Sequence, residues 1–202
     1  MHVCIIMVRY TLVHTNYGGI FVKRLNYDQK LTLAAYQYFF GNHYAISSGD
    51  STTNNHVAAQ KMCYLLKMAG IRIGDFEFTW NTKGPYSATY QALLRTLDRN
   101  QKEVAEFYEK TFAECSVYHK KEEEIKKLRK KLEVDKHDSD YVKWVERLGS
   151  LAYIATTMLP GEDFSLINTR LIQKKDVFNN SKTNRHAWNL LKKANVIQRL
   201  VY

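Results

Sequence analysis

Apolar residues recur along this chain with two different periods, and the switches between them mark its elements. Over residues 28–45, Leu31, Ala34, Ala35, Tyr38 and Phe39 keep helical spacing behind Asp28, which reads as the N-cap. Residues 47–55 are polar and contain Gly49, which predicts a loop. A second helical pattern covers 56–69 and stops at Gly70. Its apolar positions Val57, Met62, Tyr64, Leu65 and Met68 lie on more than one face, as expected of a helix central to the core. Alternation then takes over in 71–80, with Ile71 and Ile73, then Phe76, Phe78 and Trp80, and a slip of parity at Gly74 that predicts a bend or bulge. Asn81 to Gly84 reads as a turn, and Pro85 as the first turn of a helix running to about Leu97.

The second half is helical throughout by the same criterion. Residues 103–134 predict one long helix or two in succession. In the stretch after His119 the charge signs alternate, with Glu122 four residues before Lys126 and Glu123 four before Lys127, the favourable order for helix pairs. Only Ile125, Leu128 and Leu132 line one side. The expectation is a protruding charged arm, about residues 103–137, whose narrow apolar stripe docks on another chain. Asp138 or Ser139 should cap a strongly apolar helix to about Leu159, stopped by Pro160-Gly161. Shorter helices follow at 165–174 and 183–194. At the other end, residues 3–13 and 20–25 are β-like around Asn16-Tyr17-Gly18-Gly19, so 1–27 reads as a β-like extension ahead of a single domain over 28–202. The fold class expected is mainly α (α+β): a compact helical domain with a small β element and the charged arm.

Composition sharpens this picture in two places. Three cysteines, Cys4, Cys63 and Cys115, are widely spaced and odd in number, which suits reduced thiols in the cytoplasm. No apolar run approaches the roughly 18 residues a membrane span needs. The net charge of +10 is concentrated: from residue 170 onward eight cations face Asp176 alone, leaving little excess in the rest of the chain. Arg170, Lys174, Lys175, Lys182, Arg185, Lys192 and Lys193 are therefore candidate nucleic-acid contacts, with a solvated helix face as the plainer alternative.

Catalytic patterns are missing. Seven histidines are scattered without metal-binding spacing, and Asp135, His137, Asp138 and Asp140 read better as a polar helix-capping loop than as cation ligands. Arg9 and His14 have the spacing of a pair found in some helical ribonucleases but fall on a β-like segment. Ser87 lacks a nucleophile-elbow context, and the glycines form no phosphate-binding loop. We expect no enzymatic activity, no metal and no cofactor.

Gln60-Lys61 ahead of an apolar Tyr-Leu-Leu helix, an aromatic extended segment, and then Gly84-Pro85-Tyr86-Ser87 form an ordered set. With Leu148-Gly149-Ser150-Leu151-Ala152-Tyr153 and Ala187-Trp188-Asn189-Leu190-Leu191, this set resembles the YwgA-like bacterial proteins and, more distantly, the Panacea (SocA-like) domain. The resemblance covers roughly residues 56–198. Lys83 stands where those families usually carry an aromatic, and Ala58-Ala59 where they carry Lys-Leu, as in a divergent member. It implies a small helical domain that binds a partner protein as an antitoxin or a proteolysis adaptor, with no catalytic residues. The expected function is accordingly a non-enzymatic protein-binding module, antitoxin- or adaptor-like, of a bacterial or mobile-element system, in contact with a toxin-like partner or a second copy. Trp80, Tyr86, Ser87, Ile125, Leu128 and Leu132 are the partner-binding candidates. The alternative is a DNA-binding or other nucleic-acid-binding regulator using the basic C-terminal region.

Overall fold

The structure, a computed structural model, describes residues 25–41, 52–112 and 119–197. It is mainly helical, with one small antiparallel sheet. The expected β-like segments at 3–13 and 20–25 lie outside the described residues, except for buried Leu25 at the end of the second.

Helix α1 (Tyr27–Phe40) is capped by Asn26 rather than Asp28. The Asn26 side chain accepts from Gln29 N at 2.9 Å, and Asn26 N donates to Gln29 Oε1 at 2.8 Å, a reciprocal capping box that Asp28 cannot form from inside the first turn. Helix α2 (Thr52–Met68) begins four residues before the sequence pattern suggests. Its polar first turn is held by tertiary contact: Tyr141 Oη donates to buried Asn55 Oδ1 at 3.0 Å. Residues 58–66 of α2 are buried without interruption. The alternating segment behaves as expected up to Phe76, with Ile71, Ile73 and Phe76 buried and the parity change falling at Gly74. Only its end forms a strand, however. β1 (Thr79–Asn81) pairs antiparallel with β2 (Gly84–Tyr86), with Trp80 opposite Pro85.

Pro85 is thus a strand residue, and the helix it was expected to open, α3 (Ala88–Arg99), is capped instead by Ser87. A proline lacking its N–H is tolerated on an edge strand. Helix α4 (Gln101–Glu106) widens into a π-type turn, Phe107–Thr111. Helix α5 (Glu122–Lys131) leads through a 3-10 turn, Val134–Asp140, into α6 (Tyr141–Tyr153). Helix α7 (Phe164–Lys174) follows Asp163, whose side chain accepts from Leu166 N, and α8 (Ser181–Lys193) follows Asn180, which caps Thr183 N in the same way.

Helices α2 and α6 are the centre of the core. Every residue from Trp144 to Ala155 is buried, and α6 packs more extensively on α2 than on any other element. The expected protruding arm is corrected here. Ile125, Leu128 and Leu132 are all less than 5% exposed, because α5 lies along α1, whose residues are buried nearly all round. Trp144 Nε1 donates to Leu132 O at 2.9 Å and ties the end of α5 to α6. A three-residue stripe suffices for a peripheral helix when the facing helix supplies the rest of the apolar surface. Asp135 pairs with Arg129, and His137 stacks on Trp144 at 4.0 Å between centroids, so that segment is a packed connection.

Candidate functional site

Among the described residues the two-stranded hairpin has no third strand beside it, and side-chain donors reach two of its backbone carbonyls. Lysine side chains take that role. Lys61 Nζ, from α2, donates to Pro85 O at 2.8 Å. Lys175 Nζ, from the end of α7, donates to Thr82 O at 2.8 Å and to Glu146 Oε1 of α6 at 2.5 Å. Gln60 then brackets the entrance to α3: its Oε1 accepts from Ser87 N at 2.9 Å, and its Nε2 donates to Ser87 O at 3.0 Å. Ser87 Oγ accepts from Tyr90 N at 3.4 Å, so side chains take two of the N–H groups at the start of α3.

Two glycines make room for the Lys61 stem. A Cβ at Gly149 would fall 3.3 Å from Lys61 Cβ and Cδ, closer than a packed core tolerates without movement. Gly84 has φ +91°, and a Cβ there would meet Ser150 Oγ at 2.5 Å. Threaded between them, Lys61 is 1% exposed. Burial pushes its ammonium down to about 7, against the smaller opposing pull of Glu146 and with help from Lys175 and Lys83. Lys175 is lowered as well, chiefly by burial, with Glu146 resisting.

A cavity of about 460 Å³ opens beside this clamp, between α2, α3 and the hairpin. Helix α2 contributes His56, Gln60 and Lys61, and α3 contributes Gln91, Arg95 and Asp98, at the spacing that aligns residues along one helical face. A row of polar side chains crosses its wall. Gln60 Nε2 donates to Gln91 Oε1 at 3.3 Å, Gln91 Nε2 meets His56 Nδ1 at 2.8 Å, and His56 Nε2 lies 3.0 Å from Asp98 Oδ2. If Gln91 Nε2 donates, His56 carries its proton on Nε2, which faces Asp98 without meeting hydrogen-bond geometry. In that arrangement His56 is a brace.

The candidates named from sequence separate into three groups. Tyr86 lies half-buried on the cavity lining, and Trp80 is half-buried against Tyr153 with Lys174 Nζ 5.3 Å from its ring centre. Ser87 is buried as a cap, and Ile125, Leu128 and Leu132 are core, so these four are corrected as surface contacts. Of the basic candidates, Arg170, Lys174, Lys182, Arg185, Lys192 and Lys193 are exposed on α7 and α8, with the Arg185 guanidinium over the Phe164 ring at 3.6 Å. Lys175 is the exception, buried in its ion pair with Glu146 and closed to a nucleic acid. Sequence reasoning missed the roles of Lys61, Glu146 and the His56–Asp98 pair. The spacing of Gln91, Arg95 and Asp98, and of His56 and Gln60, was the available signal.

Among the described residues, no helix is long and apolar enough to cross a membrane, and no group of three or more His, Cys, Asp or Glu side chains is placed to hold a metal ion. No family model, curated protein or solved structure matches this chain.

Proposed function

We propose that the protein is a cytoplasmic, non-enzymatic protein-binding module, antitoxin- or adaptor-like, of a bacterial or mobile-element system, and a divergent relative of the YwgA-like and Panacea proteins. The observation that carries this reading is the clamp on the hairpin. Gln60 and Lys61 from α2 and Lys175 from the end of α7 hold Thr82, Pro85 and Ser87. The exposed turn Asn81-Thr82-Lys83 and half-buried Tyr86 are thereby presented in one conformation. A surface ordered in advance avoids the entropic penalty of ordering on contact, which is what a binding module needs. The motif order that resembles those families falls on the same segment.

The test is affinity capture with the full-length chain from its host after nuclease treatment, followed by rebinding with the purified partner. A partner retained by the wild type and lost by Tyr86→Ala, with helical content unchanged, supports the reading. Failure to recover any partner that rebinds directly overturns it.

A second reading, a nucleic-acid-binding regulator, is favoured by the exposed cations of α7 and α8. It requires affinity that falls steeply with salt, by roughly 10³–10⁵ between 50 and 200 mM for about 6–10 phosphate contacts.

A further inference from the structure

We propose that the cavity between α2, α3 and the hairpin is a carboxylate-binding site that receives an acidic side chain from a partner protein, with Lys61 as the countercharge at its base. This deepens the protein-binding reading and rests on it.

The cations of the cavity are unevenly committed. Lys61 donates to one carbonyl, Pro85 O, so two of the three hydrogens of its ammonium have no acceptor among the described residues. Lys83 and Arg95, exposed at the rim, form no ion pair among the described residues. Of the carboxylates nearby, Glu146 pairs with Lys175 at 2.5 Å, while Asp98 has Oδ2 3.0 Å from His56 Nε2 and Oδ1 without a hydrogen-bond partner among the described residues. Lys61, Lys83 and Arg95 therefore outnumber Asp98 on the cavity lining, which is net positive. An incoming carboxylate would meet charge-assisted donors where water is partly excluded.

The donor set also selects among anions. A phosphate site of the usual kind is built from backbone N–H groups at a helix start or nest. Here no residue from 87 to 90, where α3 starts, lines the cavity, and Ser87 N and Tyr90 N are taken by Gln60 and Ser87 Oγ. What remains is a lysine, a guanidinium and amide side chains, suited to a planar monoanion. A volume of about 460 Å³ lies at the lower end of the range for ligand pockets. Exposed Asn81, Thr82 and Lys83 surround the mouth and can contact residues flanking an inserted side chain. These features favour a segment of a partner over a free metabolite.

Binding should depend on pH. The groups around Lys61 are Glu146 of α6, Lys175 beyond α7, Lys83 and Tyr86 of the hairpin, His56 on α2 itself, and Arg95 and Asp98 of α3. With Lys61 held near 7, the free protein carries this charge only on the acid side of neutrality. A bound carboxylate favours the ammonium, so binding takes up a proton and weakens as pH rises above 7.

The experiment is NMR titration of the full chain, with isotope-labelled lysine, using three probes: acetyl-Ala-Glu-Glu-Ala-amide, its Gln-for-Glu counterpart, and glutarate. The expected result is saturable binding of the Glu peptide at pH 6, with shifts at Lys61 and the cavity lining. Affinity should fall about tenfold or more by pH 8.5 and by a similar factor in Lys61→Met. The Gln peptide should not bind. Because Lys61→Met also removes a hairpin contact, the exposed pair Lys83→Glu with Arg95→Glu provides a second test and should weaken binding without unfolding. Equal binding of the Gln peptide, or full affinity in the charge variants, overturns the proposal. Binding of glutarate alone overturns the assignment to a partner segment. Should the peptides fail while capture of a partner still depends on Tyr86, the carboxylate site falls and the protein-binding reading stands.

Discussion

Lys174 and Lys175 are neighbours in sequence and opposites in physics. Lys174 lies exposed at the end of α7, with its ammonium 5.3 Å from the Trp80 ring centre, and belongs to the basic face that α7 shares with α8. Lys175, one residue on, is 6% exposed and joins Glu146 to the hairpin. The clamp under the hairpin and the basic face of α7 and α8 thus draw on the same residue type for different ends. In the clamp each cation has a specific acceptor and little water, so its removal leaves a buried partner without compensation. On the face each cation is exposed, in places over an aromatic ring, so its removal mainly changes the field around the protein.

The largest expected effect of breaking this contrast is in the clamp. Lys175→Ala leaves Glu146 buried without its cation and removes the donor to Thr82 O. Removing one member of a buried pair typically destabilises by about 3–5 kcal/mol. The double variant Lys175→Met with Glu146→Leu should recover much of that loss, since no charge is then stranded. Urea unfolding of the single and double variants measures the difference. Equal destabilisation in both would show that the hairpin contact, and not the ion pair, dominates.

How much of this was legible beforehand differs between the two regions. The basic face was visible because a run of cations opposed by Asp176 alone needs no tertiary information. The helices α2, α6 and α8 were visible because their apolar periods are long. The clamp was only half visible. Gln60 and Lys61 stood out, but their acceptors lie at Ser87 and Pro85, well beyond any local window, and Glu146 meets Lys175 across 29 residues. Pro85 was misplaced because a proline suits the first turn of a helix and an edge strand equally, and the choice depends on Trp80 opposite it. The stripe on α5 misled for a related reason: its width describes α5 alone, whereas its burial is decided by α1.

A smaller effect comes from Lys61 as the solvent pH changes. Its folded value, about 7, lies below that of an unfolded lysine near 10.4, so between these limits the unfolded chain binds the extra proton. Stability from this group therefore rises with pH above 7, and the penalty is present in full on the acid side. Over pH 7 to 8.5 the rise should be on the order of 1–2 kcal/mol. Cys63 and Tyr90, both raised by burial, work in the opposite sense at higher pH, so the comparison belongs in this window. Lys61→Met should flatten the curve relative to the wild type when unfolding is followed at pH 7, 7.5, 8 and 8.5. The same slope in both would assign the proton uptake elsewhere, with Lys175 the next group to test.

The smallest effect belongs to the exposed face, and there the sign depends on the place along the helix. Lys182 lies in the first turn of α8, where a cation faces the positive end of the helix dipole, and Lys193 lies in the last turn, where it is favoured. Neither forms an ion pair among the described residues. Lys182→Glu should accordingly stabilise by about 0.3–1 kcal/mol and Lys193→Glu destabilise by about the same, both shrinking at high salt. The double reversal should leave stability within about 0.5 kcal/mol of the wild type, the range usual for surface changes. It nevertheless moves the net charge from +10 to +6, because each reversal changes the charge by two. Thermal unfolding at low and high salt tests this directly. A loss of several kcal/mol from the double variant would mean that these lysines are held as Lys175 is, and the contrast between clamp and face would fail.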